Sequence, residues 1–200
     1  MGLQIQDGTG SNRKARVDNS NRLSTSSVIR SEREEEAILG EAYILGSGFV
    51  ELSAATPSAI LYFKNEGDTD LVITRFLIGV RKNVTTVSEN HVRGIIQQNP
   101  TGMSGGTGNP VVLNNVNFGS SNTVDSTSEI GQEGAALTGG STYLATVAAT
   151  EILTSENAST ILPKGSSIGV TIIPPSGTAV GNEIEVSVGI NLHKLGTELQ

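Results

Sequence analysis

Residues 59–82 read Ala-Ile-Leu-Tyr-Phe-Lys-Asn-Glu-Gly-Asp-Thr-Asp-Leu-Val-Ile-Thr-Arg-Phe-Leu-Ile-Gly-Val-Arg-Lys, two apolar runs rich in β-branched and aromatic residues on either side of a polar turn. The pattern predicts a β-hairpin. Its turn is residues 65–70, because Gly67 tolerates positive φ and the side chains of Asn65, Asp68 and Asp70 can bond their own backbone. In the second run Val72, Thr74, Phe76, Ile78 and Val80 share one face at a period of two, while Leu71, Ile73 and Leu77 line the other until Arg75 and Arg81 interrupt. Both faces are therefore apolar near the turn, as suits a strand in the middle of a packed two-layer structure.

Outward from this stretch the punctuation stays that of an all-β protein. Upstream, residues 42–45 and 49–52 flank an expected Gly46-Ser47-Gly48 turn. Downstream, strands are expected over 92–98, 111–118, 143–152, 167–173 and 183–192. The last is the clearest, since Ile184, Val186, Val188, Ile190 and Leu192 alternate with Glu185, Ser187, Gly189 and Asn191. Pro174 and Pro175 close the strand before it, because proline cannot donate to a ladder. Residues 99–142 are rich in Gly, Ser, Thr and Asn and read as long loops, candidates for contacts with other chains. The fold expected is a jelly-roll-like β-sandwich over residues 41–200, preceded over residues 1–40 by an extended N-terminal arm and one short helix.

That helix is signalled by Ser31 as N-cap with Glu34 three residues on, then Ala37, Ile38, Leu39 and a stop at Gly40. The acidic run over residues 32–36 sits well at its positive N-terminal end, so its expected role is structural.

Composition narrows the remaining choices. The chain has 200 residues, no Cys, no Trp and only seven Phe and Tyr, so its core must be Val, Ile, Leu and Ala, without a disulfide to staple it. The lack of cysteine suits a reducing compartment. No apolar run approaches the roughly 18 residues of a membrane span, and the N-terminus lacks a signal-peptide apolar core, so no membrane partner is expected. Charge is unevenly placed. The first 33 residues carry six basic groups against three acidic ones, a net +3, and the rest carry seven basic against seventeen acidic, a net −10. The arm holds too few apolar residues to order itself, since fixing thirty backbone residues costs on the order of 30 kcal/mol. A partner surface must supply the difference. The arm's apolar residues Leu3, Ile5, Val28 and Ile29, with its bases Arg13, Lys14, Arg16, Arg22 and Arg30, are accordingly the candidate protein-interface residues. Nucleic acid is not expected, because the chain as a whole is acidic and no aromatics interleave the bases.

Chemistry-bearing motifs are sparse. His91 and His193 lie far apart, outside any metal-ligand spacing, and are expected as partly exposed loop or strand-edge residues. Glu66, Asp68 and Asp70 crowd one turn, but their spacing departs from a calcium loop and a solvated turn is the simpler reading. There is no nucleophile elbow, phosphate-cradling loop or dinucleotide fingerprint. No catalytic residue, metal or cofactor is expected, and the reading is not that of an enzyme.

Several stretches, in this order and spacing, resemble a family of small virion structural proteins of tailed bacteriophages. They are Gly-Leu-Gln-Ile-Gln-Asp-Gly over 2–8, Val17-Asp18-Asn19 with Arg22-Leu23, Leu-Tyr-Phe-Lys-Asn over 61–65 with Asp-Leu-Val-Ile over 70–73, and Leu-Pro-Lys-Gly-Ser-Ser-Ile-Gly-Val-Thr over 162–171 with Pro174-Pro175. The resemblance implies a particle component assembled in the bacterial host cytoplasm. The role expected is a capsid decoration or cement protein bound to the major capsid protein or other virion proteins, as a homo-oligomer, by resemblance a trimer. The alternatives are a tail or head-to-tail adaptor component, or a host-glycan-binding module. The last is weakened by the absence of Trp and the presence of only three Tyr to stack on sugars.

Overall fold

A computed structural model describes residues 16–17, 23–24, 32–82, 92–148, 153–181 and 183–195. The chain divides into two compact units, Met1–Ser31 and Glu32–Gln200. In the first, β1 (Arg16–Val17) pairs antiparallel with β2 (Leu23–Ser24). The second opens with α1 (Glu32–Leu39), so the helix expected from the capping pattern belongs with the β structure that follows it. The strands are then β3 (Ala42–Leu52), β4 (Ser58–Asn65), β5 (Leu71–Lys82), β6 (Val92–Gln98), β7 (Gly102–Ser104), β8 (Leu113–Asn115), β9 (Ser126–Ile130), β10 (Ala136–Thr138), β11 (Ser141–Ala148), β12 (Leu153–Leu162), β13 (Ser167–Ile173) and β14 (Ile184–Lys194).

Two five-stranded antiparallel sheets carry the fold, in the orders β12-β5-β14-β3-β8 and β11-β6-β13-β4-β9. The eight long strands pair in nested fashion: β3 with β14, β4 with β13, β5 with β12 and β6 with β11. Successive strands alternate between sheets except at β6 and β11, which are neighbours in one sheet. One long hairpin rolled around a barrel axis produces this order, and it is the topology of a jelly roll.

The expected hairpin over 59–82 is not formed. β4 and β5 lie in opposite sheets, each an interior strand with neighbours on both sides. The turn between them therefore arches across the sandwich. The two-faced burial legible in the sequence is real, but each strand meets its requirement separately. β4 is buried at every position except Lys64.

The core is the space between the sheets, filled by Tyr43, Leu45, Leu61, Phe63, Phe76 and their aliphatic neighbours. All five inward residues of β14, from Ile184 to Leu192, are buried, as the alternation requires. Two bulges keep the other strands in phase with it. Residues 46–48 do not turn but continue β3, with Ser47 and Gly48 together opposing Val188. Gly48 adopts φ 70°, and Ser47 Oγ accepts the Val188 N–H at 2.9 Å, so the bulge leaves no orphaned donor. Inward positions change from Tyr43 and Leu45 to Val50 and Leu52. In β5 the register shifts at Thr74, so the core face is Leu71, Ile73, Phe76 and Ile78 rather than the strict period of two expected from Val72 and Thr74 onward.

Residues 99–140 connect β6 to β11, and they are folded onto the body instead of forming long free loops. β8 extends one sheet beyond β3, and β9 extends the other beyond β4. β7 and β10 pair with each other, and Leu137 of β10 sits where a side chain on Gly169 of β13 would have to go. Gly131 comes closer still. It donates to the Ile60 carbonyl at 2.8 Å, and a Cβ on it would lie 1.7 Å from the Ala59 carbonyl oxygen. Gly131→Ala should therefore cost about 2 kcal/mol or more by forcing the insertion off β4. Gly46→Ala, with nothing within 4 Å of the new Cβ, should stay within about 0.5 kcal/mol of wild type. Urea midpoints of the two variants check the pair.

Candidate interaction site

α1 packs against β3 and β14 on the outer face of one sheet. Ala42, His193 and Val72 stand in one row across that face, and all three are buried. His193 is 2 % exposed, on a strand with neighbours on both sides, which corrects the expectation of a loop or edge histidine. Its strand runs to Lys194, two residues past the end expected at Leu192. His91 lies outside the described residues.

The helix ends by satisfying its backbone rather than by burying its apolar residues. Gly40 takes φ 73°, its N–H donates to the Ala37 carbonyl at 3.2 Å, and the Glu41 N–H donates to the Glu36 carbonyl at 2.7 Å, a Schellman closure. Three asparagine side chains, one at the end of β8 and two from the segment after it, take up the remaining carbonyls. Asn117 Nδ2 donates to Ile38 at 3.1 Å, Asn122 Nδ2 to Leu39 at 3.3 Å, and Asn115 Nδ2 to Gly40 at 2.7 Å. Glu36 faces inward and is buried, whereas Ile38 and Leu39 face out and are 57 % and 63 % exposed. Phe118 is beside Asn117 in sequence and is 97 % exposed. One corner of the sandwich thus presents three large apolar side chains to solvent on a hydrogen-bonded, well-fixed base. Such a cluster marks an interaction surface more often than chance.

This corner was not legible as a site in the sequence. Phe118 sits among Asn, Gly and Ser with no periodic partner, and the apolar end of α1 carries no sign of which way it faces. Of the interface residues expected in the arm, Arg16 lies in β1. Leu3, Ile5, Arg13, Lys14, Arg22, Val28, Ile29 and Arg30 lie outside the described residues.

The acidic turn is tied up by lysines. Lys64 Nζ reaches Glu66 at 3.0 Å, and Lys164 pairs with Asp68, each lysine holding its carboxyl below the usual range. Asn65 builds the turn: its Nδ2 donates to the carbonyls of Thr69 and Leu162, both at 3.0 Å, and its Oδ1 accepts the Gly67 N–H at 3.1 Å. Among the described residues no cluster of three or more His, Cys, Asp or Glu is arranged to hold a metal ion. At the far end of β3, Glu133 accepts the Ser53 Oγ–H at 2.6 Å and the Ser53 N–H at 3.0 Å, which lower its pKa and pin the insertion to β3.

No family model matches the chain, and no curated protein matches it. Among solved structures, a chain from the structure of a marine algae virus of the order Picornavirales is similar at 12 % identity, with 97 % of this chain and 85 % of that chain covered and a TM-score of 0.20. So slight a likeness carries no argument.

Two predictions belong to these contacts. Asn115→Ala should cost about 1 kcal/mol, read from the urea midpoint, because it removes the closer of the two donors to the Gly40 carbonyl, the other being the Tyr43 hydroxyl at 3.3 Å, and with it the bond to the Asn122 carbonyl. Glu66, Asp68 and Glu133 all have carboxyls depressed in the folded state. Their contribution is present above the ordinary carboxylate pKa of about 4 and is lost as pH falls through the lower folded values. The thermal midpoint should drop across that acid window, and Glu133→Gln should flatten the drop.

Proposed function

We propose that this chain is a virion structural protein, a capsid decoration or cement protein of a tailed bacteriophage that binds the head shell as a homo-oligomer. The observation that carries the reading is the fixed, solvent-facing apolar corner of Ile38, Leu39 and Phe118, in a chain that also carries a basic arm in its sequence. The jelly roll supports it only as a scaffold, since that topology serves viral capsid and lectin domains alike. The sequence resemblance to phage virion proteins favours the capsid use. For the glycan-binding alternative, a shallow groove lined by Tyr62, Lys64, Asn99, Thr101, Lys164 and Ser166 is a concave surface with one aromatic residue in its lining. Tyr62 is only 5 % exposed, however, and offers no ring for a sugar to stack on.

In this reading the arm and the corner supply contacts at the seams between shell subunits, and the virion is where the protein resides. The arm's bases lend a salt-sensitive attraction to acidic protein surface, while its apolar residues lend a contribution that salt does not screen. Replacing Arg13, Lys14 and Arg16 together by Ser should lower the amount of protein on purified particles while leaving the circular dichroism of the free protein unchanged. Particles lacking the protein should release their genome at a lower temperature. Equal release temperatures with the protein absent and at full occupancy would contradict the cement role.

A further inference from the structure

We propose that the outer face of the β12-β5-β14-β3-β8 sheet pairs with the same face of a second copy of this chain, around a two-fold axis that runs along β14. The inference rests on the self-association in the function proposed above, and it names one surface through which copies join.

Three rows of outward residues cross that face at right angles to β14. Glu185 stands between Glu51 of β3 and Arg81 of β5, Ser187 between Phe49 and Gly79, and Gly189 between Gly46 and Leu77. This part of the face is open to solvent. Phe49 is 78 % exposed, and the Arg81 side chain is 74 % exposed. α1 stands at the other end of the face, by the row of Ala42, His193 and Val72, so two sheets that meet over these three rows open toward it.

The symmetry decides which residues meet. A two-fold axis along the middle strand keeps each residue's position along the sheet and exchanges the sheet's sides, so every β3 residue faces the partner's β5 residue of the same row. Large then meets small in both directions. Phe49 lies over the partner's Gly79, where the floor is low because the Ser187 hydroxyl folds down onto the space a Cβ would take. Leu77 meets the partner's Gly46, above which nothing stands within 4 Å of the Cβ position. Ser187 and Gly189 carry little bulk at the axis itself, so the faces can close to the roughly 10 Å spacing of packed sheets. In the remaining row opposite charges meet. Glu51 has no cation of its own among the described residues, and it faces the partner's Arg81. Arg81 holds Glu185 of its own copy through Nη1 at 3.4 Å, and its planar fork has further N–H groups to offer a second carboxylate.

Exchanging these charges tests the pairing in the full-length chain. Glu51→Arg puts two bases into each contact and Arg81→Glu puts in two acids, so neither protein should pair with itself. Mixed one to one they should pair again. The new base of one copy then faces the new acid of the other, and the second contact of the pair keeps its natural Glu51 and Arg81. Sedimentation equilibrium over a range of concentrations reads the association.

Each single variant should weaken self-association about tenfold or more, and the mixture should restore it to within about threefold of wild type. Phe49→Ser should weaken it too, through the apolar contact. Circular dichroism of all three variants should match wild type, because the three side chains are exposed. Variants that associate as tightly as wild type overturn this face and leave self-association to another surface. A mixture that associates no better than its components overturns the row-by-row pairing. A wild-type chain that stays monomeric at micromolar concentration overturns self-association together with the face.

Discussion

The insertion of β14 between β3 and β5 is the interaction on which the rest of the second unit depends. β14 is the last strand among the described residues, yet it is the central strand of its sheet and pairs along its length on both sides. Its inward row, from Ile184 to Leu192, belongs to the core between the sheets, where β14 meets β4 of the other sheet. Without a disulfide and with few aromatics, nothing else in the chain replaces this burial. The bulges at Ser47 and Thr74 follow from it, since each keeps a neighbouring strand in step with an uninterrupted period of two. Nested pairing also makes most contacts distant in sequence, so the unit should fold slowly and only once the chain is complete.

A sandwich of this kind must manage its edges, and the two sides are treated differently. On one side the insertion supplies β8 and β9, short strands that end the sheets. On the other, β11 and β12 are long, but each carries a register break, near Tyr143 and over residues 157–159. Tyr143 Oη and Thr160 Oγ1 meet at 2.9 Å across the two edge strands. Broken, clasped edges discourage strand-on-strand pairing. Assembly in the proposed function is accordingly assigned to side chains at the α1 corner and to the arm.

Much of the architecture was legible, and the misreadings share causes. β14 was plain because Glu185, Ser187 and Gly189 alternate with aliphatic residues and one face is core. The stop of β13 was plain because two prolines follow it. The β4–β5 connection was misread because Asn65, Gly67 and Asp68 suit an arch between sheets as well as a hairpin turn; only the partners of each strand distinguish the two. Gly46-Ser47-Gly48 looked like a turn for the same reason, although its glycines serve a bulge. β12 was missed because Thr-Ser-Glu-Asn-Ala-Ser-Thr is polar at every position but Ala158, as an edge strand permits. The corner was invisible because exposure of Ile38, Leu39 and Phe118 follows from the seating of α1 by Asn115, Asn117 and Asn122, a tertiary arrangement that local pattern does not encode.

The nested pairing is the central structural claim, and backbone proton–proton contacts in a nuclear magnetic resonance spectrum test it most directly. Facing sheets stand about 10 Å apart, beyond the range of such contacts, whereas paired strands are within about 5 Å. The jelly roll requires backbone contacts between Phe63 and Ile168 and between Phe76 and Ile190, with none between the backbones of β4 and β5. A ladder of backbone contacts between β4 and β5, running back from the turn at residues 66–70, would contradict it.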